Sequence, residues 1–292
     1  MKIAIIGSGI VGQDIGQGFS KLGHEVNYYD TDAEKLKDLN KQGCFVSYSI
    51  TEVTLMTDMC FICVPTPYND GIDLSYIKSS VGSIAKALKG ISKWYLVVIK
   101  STVLPKTAED VILPILRENK VNFGLCVNPE FLTQSHSSWT DDKKFRRDFG
   151  SEDRIVIGEF DKKSGDVLES IYKPIGAPIY RMSLREAEMC KYAANMMLAT
   201  KISYWNEIFL YCKELGIDSN LVAEVVSRDN RIGKYGTVHG KAYGGKCLDK
   251  DLKSFIKEFV IDKEMGYVNS PSLLFEVDQI NEYMRINYGV RE

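Results

Sequence analysis

No basic excess, no long apolar run and no disulfide spacing mark this sequence. Lys plus Arg number 37 against 39 Asp plus Glu, a formal net charge of -2 over 292 residues. Nothing in that balance gathers a phosphate polymer, so nucleic-acid binding is not expected. No stretch approaches the ~20 apolar residues that a membrane span requires. The longest candidate, Trp94–Ile99, has the length of a strand. A signal peptide is not expected, because Lys2–Ile6 runs straight into a glycine turn. Seven cysteines, an odd number at irregular spacing, do not build a disulfide scaffold and suit reduced thiols in a cytoplasm. Cys60-Phe61-Ile62-Cys63 has the spacing of a redox pair but lies inside an apolar strand, so it reads as two buried structural thiols. Internal repeats, low-complexity tracts and charge blocks are missing as well. What is there, 45% hydrophobic and 26% charged residues, suits a globular protein of about two domains.

Apolar runs at Lys2–Ile6, Glu25–Tyr29, Met59–Val64, Trp94–Lys100, Val121–Val127 and Arg154–Ile157 read as strands. Helical patterns lie near Val11–Leu22, Ala33–Asn40, Leu74–Leu88, Thr107–Glu118 and Lys163–Lys173. This alternation predicts βαβ units and a parallel, Rossmann-like sheet covered on both faces. From Ser183 the pattern changes. Ser183 with Glu186 forms a capping box. The stretch to Leu215 holds no Pro or Gly, and Gly216 stops it. Further helices are expected at Ser219–Ser227, Leu248–Val260 and Pro271–Tyr288, interrupted by a glycine-rich loop from Asp229 to Cys247. The expected architecture is α/β: a dinucleotide-binding domain over 1–182, then an all-helical domain over 183–292.

Five groups of residues carry chemistry. Gly7-Ser8-Gly9-Ile10-Val11-Gly12 follows a strand and opens a helix. Gly7 allows the tight turn, Gly9 the approach of a pyrophosphate, and Gly12 close helix–strand packing. The helix start at Ile10 and Val11 supplies N–H groups and positive dipole. Asp30 ends the second strand, where a carboxylate accepts from a ribose diol and repels a 2′-phosphate, favouring NAD over NADP. Lys35 suits the cofactor phosphates or a solvated helix face. Val64-Pro65-Thr66-Pro67 and Ser101-Thr102-Val103 close adjacent strands, where ligands bind in open parallel sheets. Turn chemistry explains those residues equally well.

Glu130, in Asn128-Pro129-Glu130-Phe131-Leu132, is a possible general base at the same edge. Lys191 and Asn195 are four apart on the long helix and share a face. They suit an oxyanion or an exposed polar face. The sharpest group is Gly244-Gly245-Lys246-Cys247-Leu248-Asp249-Lys250-Asp251. Cys247 follows two glycines where a helix begins, a setting with nearby lysines that favours thiolate and a nucleophile toward a carbonyl.

Taken together and in order, these motifs resemble the UDP-glucose dehydrogenase family, the NAD-dependent four-electron oxidoreductases of nucleotide sugars. Asp153–Gly158 and Asp229–Gly233 add to the likeness, which spans residues 1 to about 288. Asp153-Arg154-Ile155-Val156-Ile157-Gly158 looks more like the UDP-glucose than the GDP-mannose branch. The resemblance implies roles. Cys247 would trap the C6 aldehyde as a thiohemiacetal and then carry a thioester. Lys191 and Asn195 would stabilise the C6 oxygen, and Glu130 would serve acid–base chemistry in hydrolysis. Asp251 and Thr102 would position water. NAD would lie along Gly7–Gly12, Asp30, Val64–Thr66, Ser101 and Thr102, with Lys250 near cofactor or substrate. The sugar nucleotide would meet Glu130, Phe131, Leu132, Tyr243 and Gly244. A homodimer is implied, with Arg231 reaching the neighbouring subunit's site. The apolar circumference of 183–215, from Met196 to Leu210, points the same way.

This sequence also departs from the family pattern. The family carries a third, nucleotide-binding domain of about 100 residues, and Glu292 stands near where it would begin, so a separate chain could supply it. Gln134 stands for a second glutamate, Lys106 for a glycine and Asp249 for a proline. His239, Lys241 and Ala242 alter the substrate loop, and Gly43–Thr57 is shortened. A two-electron dehydrogenase of small 3-hydroxy acids shares the two-domain plan and the Lys–Asn spacing but does not need Cys247. A non-catalytic NAD-binding remnant is the third reading.

Overall fold

A computed structural model describes residues 1–131, 139, 148–244, 247–261 and 272–291. Leu132 and Gln134 lie outside the described residues. Those described group into two compact units. The first holds Met1–Thr66 and the described residues of 73–132 and 147–191. The second holds Pro67–Ile72 and the described residues of 133–146 and 192–292.

The first unit alternates strands and helices as the apolar runs predict. β1 (Lys2–Ile6), β2 (Glu25–Tyr29), β3 (Phe45–Val46), β4 (Met59–Ile62), β5 (Tyr95–Ile99), β6 (Phe123–Val127), β7 (Ile155–Glu159) and β8 (Ile179–Ser183) form one sheet. Its order is β3-β2-β1-β4-β5-β6-β7-β8. Between them lie α1 (Ile10–Lys21), α2 (Ala33–Lys41), α3 (Ile50–Met56), α4 (Ser75–Leu88), α5 (Leu113–Glu118) and α6 (Lys162–Tyr172). Strand residues alternate between two buried clusters. Ala4, Ile6, Cys60, Ile62, Val97 and Ile99 pack on one face, and Ile3, Ile5, Met59, Phe61, Leu96 and Val98 on the other. Burial on both faces accounts for the uniformly apolar strands.

Three points of the sequence reading are corrected here. The sheet is not wholly parallel, because β7 pairs antiparallel with β6. β3, α3 and β8 escape the sequence reading. β3 has only two residues, and β8 spells Ile-Tyr-Arg-Met-Ser with none of them fully buried, so neither has an apolar run to betray it. Thr107–Glu118 also begins differently, with a π-helical stretch over Ala108–Ile112 that runs into α5.

Lys106 stands just before that stretch with φ +79°, in the left-handed region where a Cβ is strained. Its N–H donates to Glu188 Oε2 at 2.7 Å, and Ala108 N–H donates to Oε1 at 2.8 Å. Burial nonetheless pushes the Glu188 carboxyl up to about 7. A Lys106→Gly variant keeps the N–H and loses the strain. It is expected to raise stability by about 1 kcal/mol, read as a higher urea midpoint at unchanged slope. A lower midpoint would refute the strain account.

The second unit is built on α7 (Leu184–Leu215), α8 (Ser219–Val226), α9 (Leu248–Phe255) and α10 (Leu273–Tyr288). The predicted capping box opens α7, whose first residues belong to the first unit: Ser183 N–H and Oγ–H both donate to Glu186 Oε2, at 2.8 and 2.7 Å. The unit is not purely helical. β9 (Ala242–Tyr243) and β10 (Val290–Arg291) pair in parallel. Among the described residues, no helix is long and apolar enough to cross a membrane.

Candidate active site

The glycine loop lies at the carboxyl end of β1, at the edge where the strand order turns from β1 to β4. Gly7 adopts φ +97°, and a Cβ there would come within 2.8 Å of the Cys63 carbonyl carbon. At Gly12 a Cβ would lie 2.1 Å from the Gly7 oxygen. Gly9 differs, since a Cβ there would meet nothing within 4 Å. Its bare backbone therefore leaves open room over the start of α1 and serves no internal contact. No side chain caps that helix, and no acidic residue sits in its first turn. The N–H groups of Ile10, Val11 and Gly12 and the helix dipole are left to an anion.

Asp30 is anchored to the same loop. Its Oδ2 accepts from Ser8 N–H at 2.7 Å and its Oδ1 from Asp32 N–H at 2.9 Å. Lys35 Nζ lies 3.8 Å from both Asp30 and Asp32, so it sits among carboxylates at the cofactor edge. At the neighbouring strand ends, Ser101 Oγ–H donates to the Val64 carbonyl at 2.6 Å, and Thr66 Oγ1–H donates to the Thr102 carbonyl at 2.8 Å. These hydroxyls stitch β4 to β5. Pro65 stands exposed beside them. The Thr102 hydroxyl makes no hydrogen bond among the described residues.

Beyond β6, Lys191 Nζ donates to the Glu130 carbonyl at 2.7 Å and to its Oε1 at 3.0 Å. The two side chains are 8% and 14% exposed, which removes the exposed-face reading of Lys191. Phe131 has the Arg154 guanidinium 4.1 Å and the Lys191 ammonium 5.6 Å from its ring centre.

Behind this turn lies a group the sequence reading missed. Lys100 is buried and donates to Asn128 Oδ1 at 2.9 Å, which also accepts from Tyr172 O–H at 2.7 Å. Asn128 Nδ2–H donates in turn to the Val156 carbonyl at 2.7 Å. Burial pulls the Lys100 ammonium down to about 8. The signal was present in the sequence, as a lysine closing an apolar strand that the sheet buries on both faces. Burial likewise pushes the Cys60 and Cys63 thiols up to about 12, as befits structural thiols.

In the second unit Asn195, 6% exposed, donates from Nδ2 to Asp251 Oδ2 at 2.7 Å. Lys250 Nζ donates to Asp251 Oδ1 at 2.5 Å. Asp251 N–H donates to the Cys247 carbonyl at 2.9 Å. Cys247 is exposed at the residue that caps α9. Tyr243 is fully buried, and its ring is scaffold for the loop. At Gly244 a Cβ would come within 2.5 Å of Val290 Cγ1, so packing against β10 demands glycine there. Arg231, 89% exposed, pairs with Asp229 at 2.5 Å.

Both halves of the chain are similar to known proteins. Residues 44–176 match the UDP-glucose/GDP-mannose dehydrogenase family, NAD binding domain, and residues 185–283 match its central domain. The GDP-mannose 6-dehydrogenase of Pseudomonas syringae pv. syringae is 35% identical, across 92% of this chain and 67% of that protein. The UDP-glucose 6-dehydrogenase AglM of Haloferax volcanii is 34% identical, across 97% of this chain and 70% of that protein. The structure of a UDP-glucose dehydrogenase from the hyperthermophilic archaeon Pyrobaculum islandicum superposes with a TM-score of 0.85 at 31% identity, covering 98% of this chain and 68% of that one. The chain thus spans about two thirds of the length of these relatives. It belongs to the UDP-glucose/GDP-mannose dehydrogenase family of NAD-dependent nucleotide-sugar dehydrogenases, and carries that family's NAD-binding and central domains.

Proposed function

We propose that this chain oxidises the C6 alcohol of a nucleotide sugar, UDP-glucose first among them, to the carboxylate in two two-electron steps through a thioester on Cys247. The glycine loop fits NAD: Ile10, Val11 and Gly12 N–H groups would hold its pyrophosphate, Gly9 gives it room, and Asp30 would take the ribose diol. NAD bound there supplies a hydride acceptor. The remaining work falls to the chain. Lys191 and Asn195 hold the C6 oxygen as charge grows on it, and the Lys191–Glu130 pair receives its proton. Cys247 Sγ adds to the aldehyde carbon and gives a thiohemiacetal. After the second oxidation the same carbon is a thioester. Water, oriented by Glu130, Thr102 and Asp251, adds to that carbon. The C–S bond breaks, and uronate leaves a regenerated thiol.

One observation carries this reading. Asp251 joins the Cys247 carbonyl, through its own N–H, to the amide of Asn195 and the ammonium of Lys250. A nucleophile-bearing residue and an oxyanion donor so share one network. UDP-glucose is placed first because Asp153–Gly158 resembles that branch, and because a UDP-glucose dehydrogenase superposes with a TM-score of 0.85. The assembly proposed is a homodimer through α7. Met197, Tyr204 and Tyr211 recur every seven residues on α7 and are 61%, 52% and 54% exposed, an outward apolar stripe that a second subunit would cover.

The test is a screen of nucleotide sugars with NAD and with NADP, read by NADH absorbance and by product analysis. UDP-glucose is expected to yield two NADH per sugar and an acid product, with NADP far slower because Asp30 repels its 2′-phosphate. One NADH per substrate would support the simpler dehydrogenase. None, with NAD still bound, would support the binding remnant. Turnover of GDP-mannose alone would overturn the choice of sugar.

A further inference from the structure

The loop that carries Cys247 has two stems, β9 upstream and the first turn of α9 downstream. One helix, α10, holds both. Asn281, fully buried, accepts the Tyr243 N–H at 2.9 Å through Oδ1 and donates from Nδ2 to the Tyr243 carbonyl at 3.1 Å. Arg285 lies one turn further along. Its Nη2 reaches the Tyr243 carbonyl at 3.3 Å and Asp249 Oδ1 at 3.1 Å, so one nitrogen bridges the two stems. Asp249 stands two residues past Cys247.

Asp249 belongs to a wider cluster of charged side chains. Carboxylate oxygens of Asp249, Asp278 and Glu282 lie within 4.8 Å of one another. Lys253 answers Glu282 at 2.8 Å and Asp249 at 3.3 Å, and Arg285 Nε answers Glu282 at 3.3 Å. Lys250 pairs with Asp251 in the first turn of α9. Lys253 and Arg285 thus pair with Asp249 and Glu282 of this cluster, and Arg285 also touches the upstream stem.

We propose that Arg285 is a positioning residue for Cys247. Its guanidinium fixes the spacing of the two loop stems and neutralises the Asp249 carboxylate, two residues past Cys247 in the chain. The proposal rests on the reading of Cys247 as the nucleophile, but its test needs neither substrate nor cofactor. The measurement is alkylation of the full-length protein by iodoacetamide across pH, followed cysteine by cysteine by peptide mass spectrometry. In Arg285→Met, alkylation of Cys247 at pH 7 is expected to fall threefold or more and its pH midpoint to rise, because the carboxylate of Asp249 is left uncompensated. Adding Asp249→Asn to Arg285→Met is expected to return the midpoint toward the parent value. Cys212, buried in the same unit, is the control and is expected to stay protected.

An unchanged Cys247 profile overturns the proposal. So does Cys212 reacting in step with Cys247, because the effect is then general loosening of the unit. Should Arg285→Met not fold, Asp249→Ala alone removes the acceptor and with it the downstream half of the bridge. Amide hydrogen exchange at Asp251, whose N–H binds the Cys247 carbonyl, is then expected to quicken tenfold or more, and unaltered exchange refutes the bridge. A protein that shows the alkylation pattern but no sugar oxidation defeats the catalytic reading and leaves the positioning intact. Turnover with an unchanged alkylation profile does the reverse.

Discussion

Cys247→Ser is expected to cut acid formation from a nucleotide sugar by about three orders of magnitude or more, while the first oxidation continues slowly. The alcohol can lose its hydride without a covalent partner. The aldehyde it becomes is different. It needs a sulfur to hold it and to present a carbon that can be oxidised again, and a serine hydroxyl at neutral pH is too weak a nucleophile. Cys247 is exposed, and serine differs from it by one atom, so the variant should fold as the parent does. The products to compare are the uronic acid and the aldehyde, the latter captured with hydroxylamine. An acid yield equal to the parent's would end the thioester proposal. Aldehyde accumulation with little acid would place Cys247 in the second oxidation.

Mixing two inactive variants should recover activity, and the amount is predictable. If Arg231 serves the neighbour's site, a mixed dimer of Arg231→Ala and Cys247→Ala subunits holds one site with both groups and one with neither. Random exchange of subunits makes half the dimers mixed, so about a quarter of the parental sites return. If Arg231 serves its own subunit, none return. In the isolated chain the guanidinium is 89% exposed and bonded to Asp229 two residues away, so it has reach to spare and no burial to lose. Light scattering at micromolar concentration is the companion measurement. A strict monomer there would remove the homodimer and the trans role of Arg231 together.

Local patterns and long-range ones were not equally legible in the sequence. β1, β2 and α7 were readable nearly to the residue, because an apolar run or a capping box is written in consecutive positions. The glycine loop was readable for the same reason, and Gly9 stands in open space as its assigned task requires. What escaped depends on distant partners. Lys100 is buried only because Asn128 and Tyr172 give its ammonium somewhere to donate, 28 and 72 residues away. Arg285 meets Tyr243 and Asp249 across 42 and 36 residues. The Ser101 and Thr66 hydroxyls looked equally like cofactor contacts and turn residues, and the backbone carbonyls that they serve belong to neighbouring strand ends that no local pattern reveals.

The reversal of β7 also decides which residues can take part in chemistry at this edge. In a parallel sheet every strand delivers its last residues to the ligand edge and hides its first ones at the far rim, so only strand ends can contribute. An antiparallel neighbour inverts that supply. Cys126 faces Glu159 and Val127 faces Gly158, and continuing that register sets Phe131 opposite Arg154, the residue just before β7 begins. The guanidinium over the Phe131 ring is therefore a strand's opening residue delivered to an edge otherwise furnished by strand closings. Were β7 parallel to β6, the same arginine would lie a strand's length away, about 16 Å for five residues, and the Phe131 ring would keep only the more distant ammonium of Lys191 among the cations placed against it here.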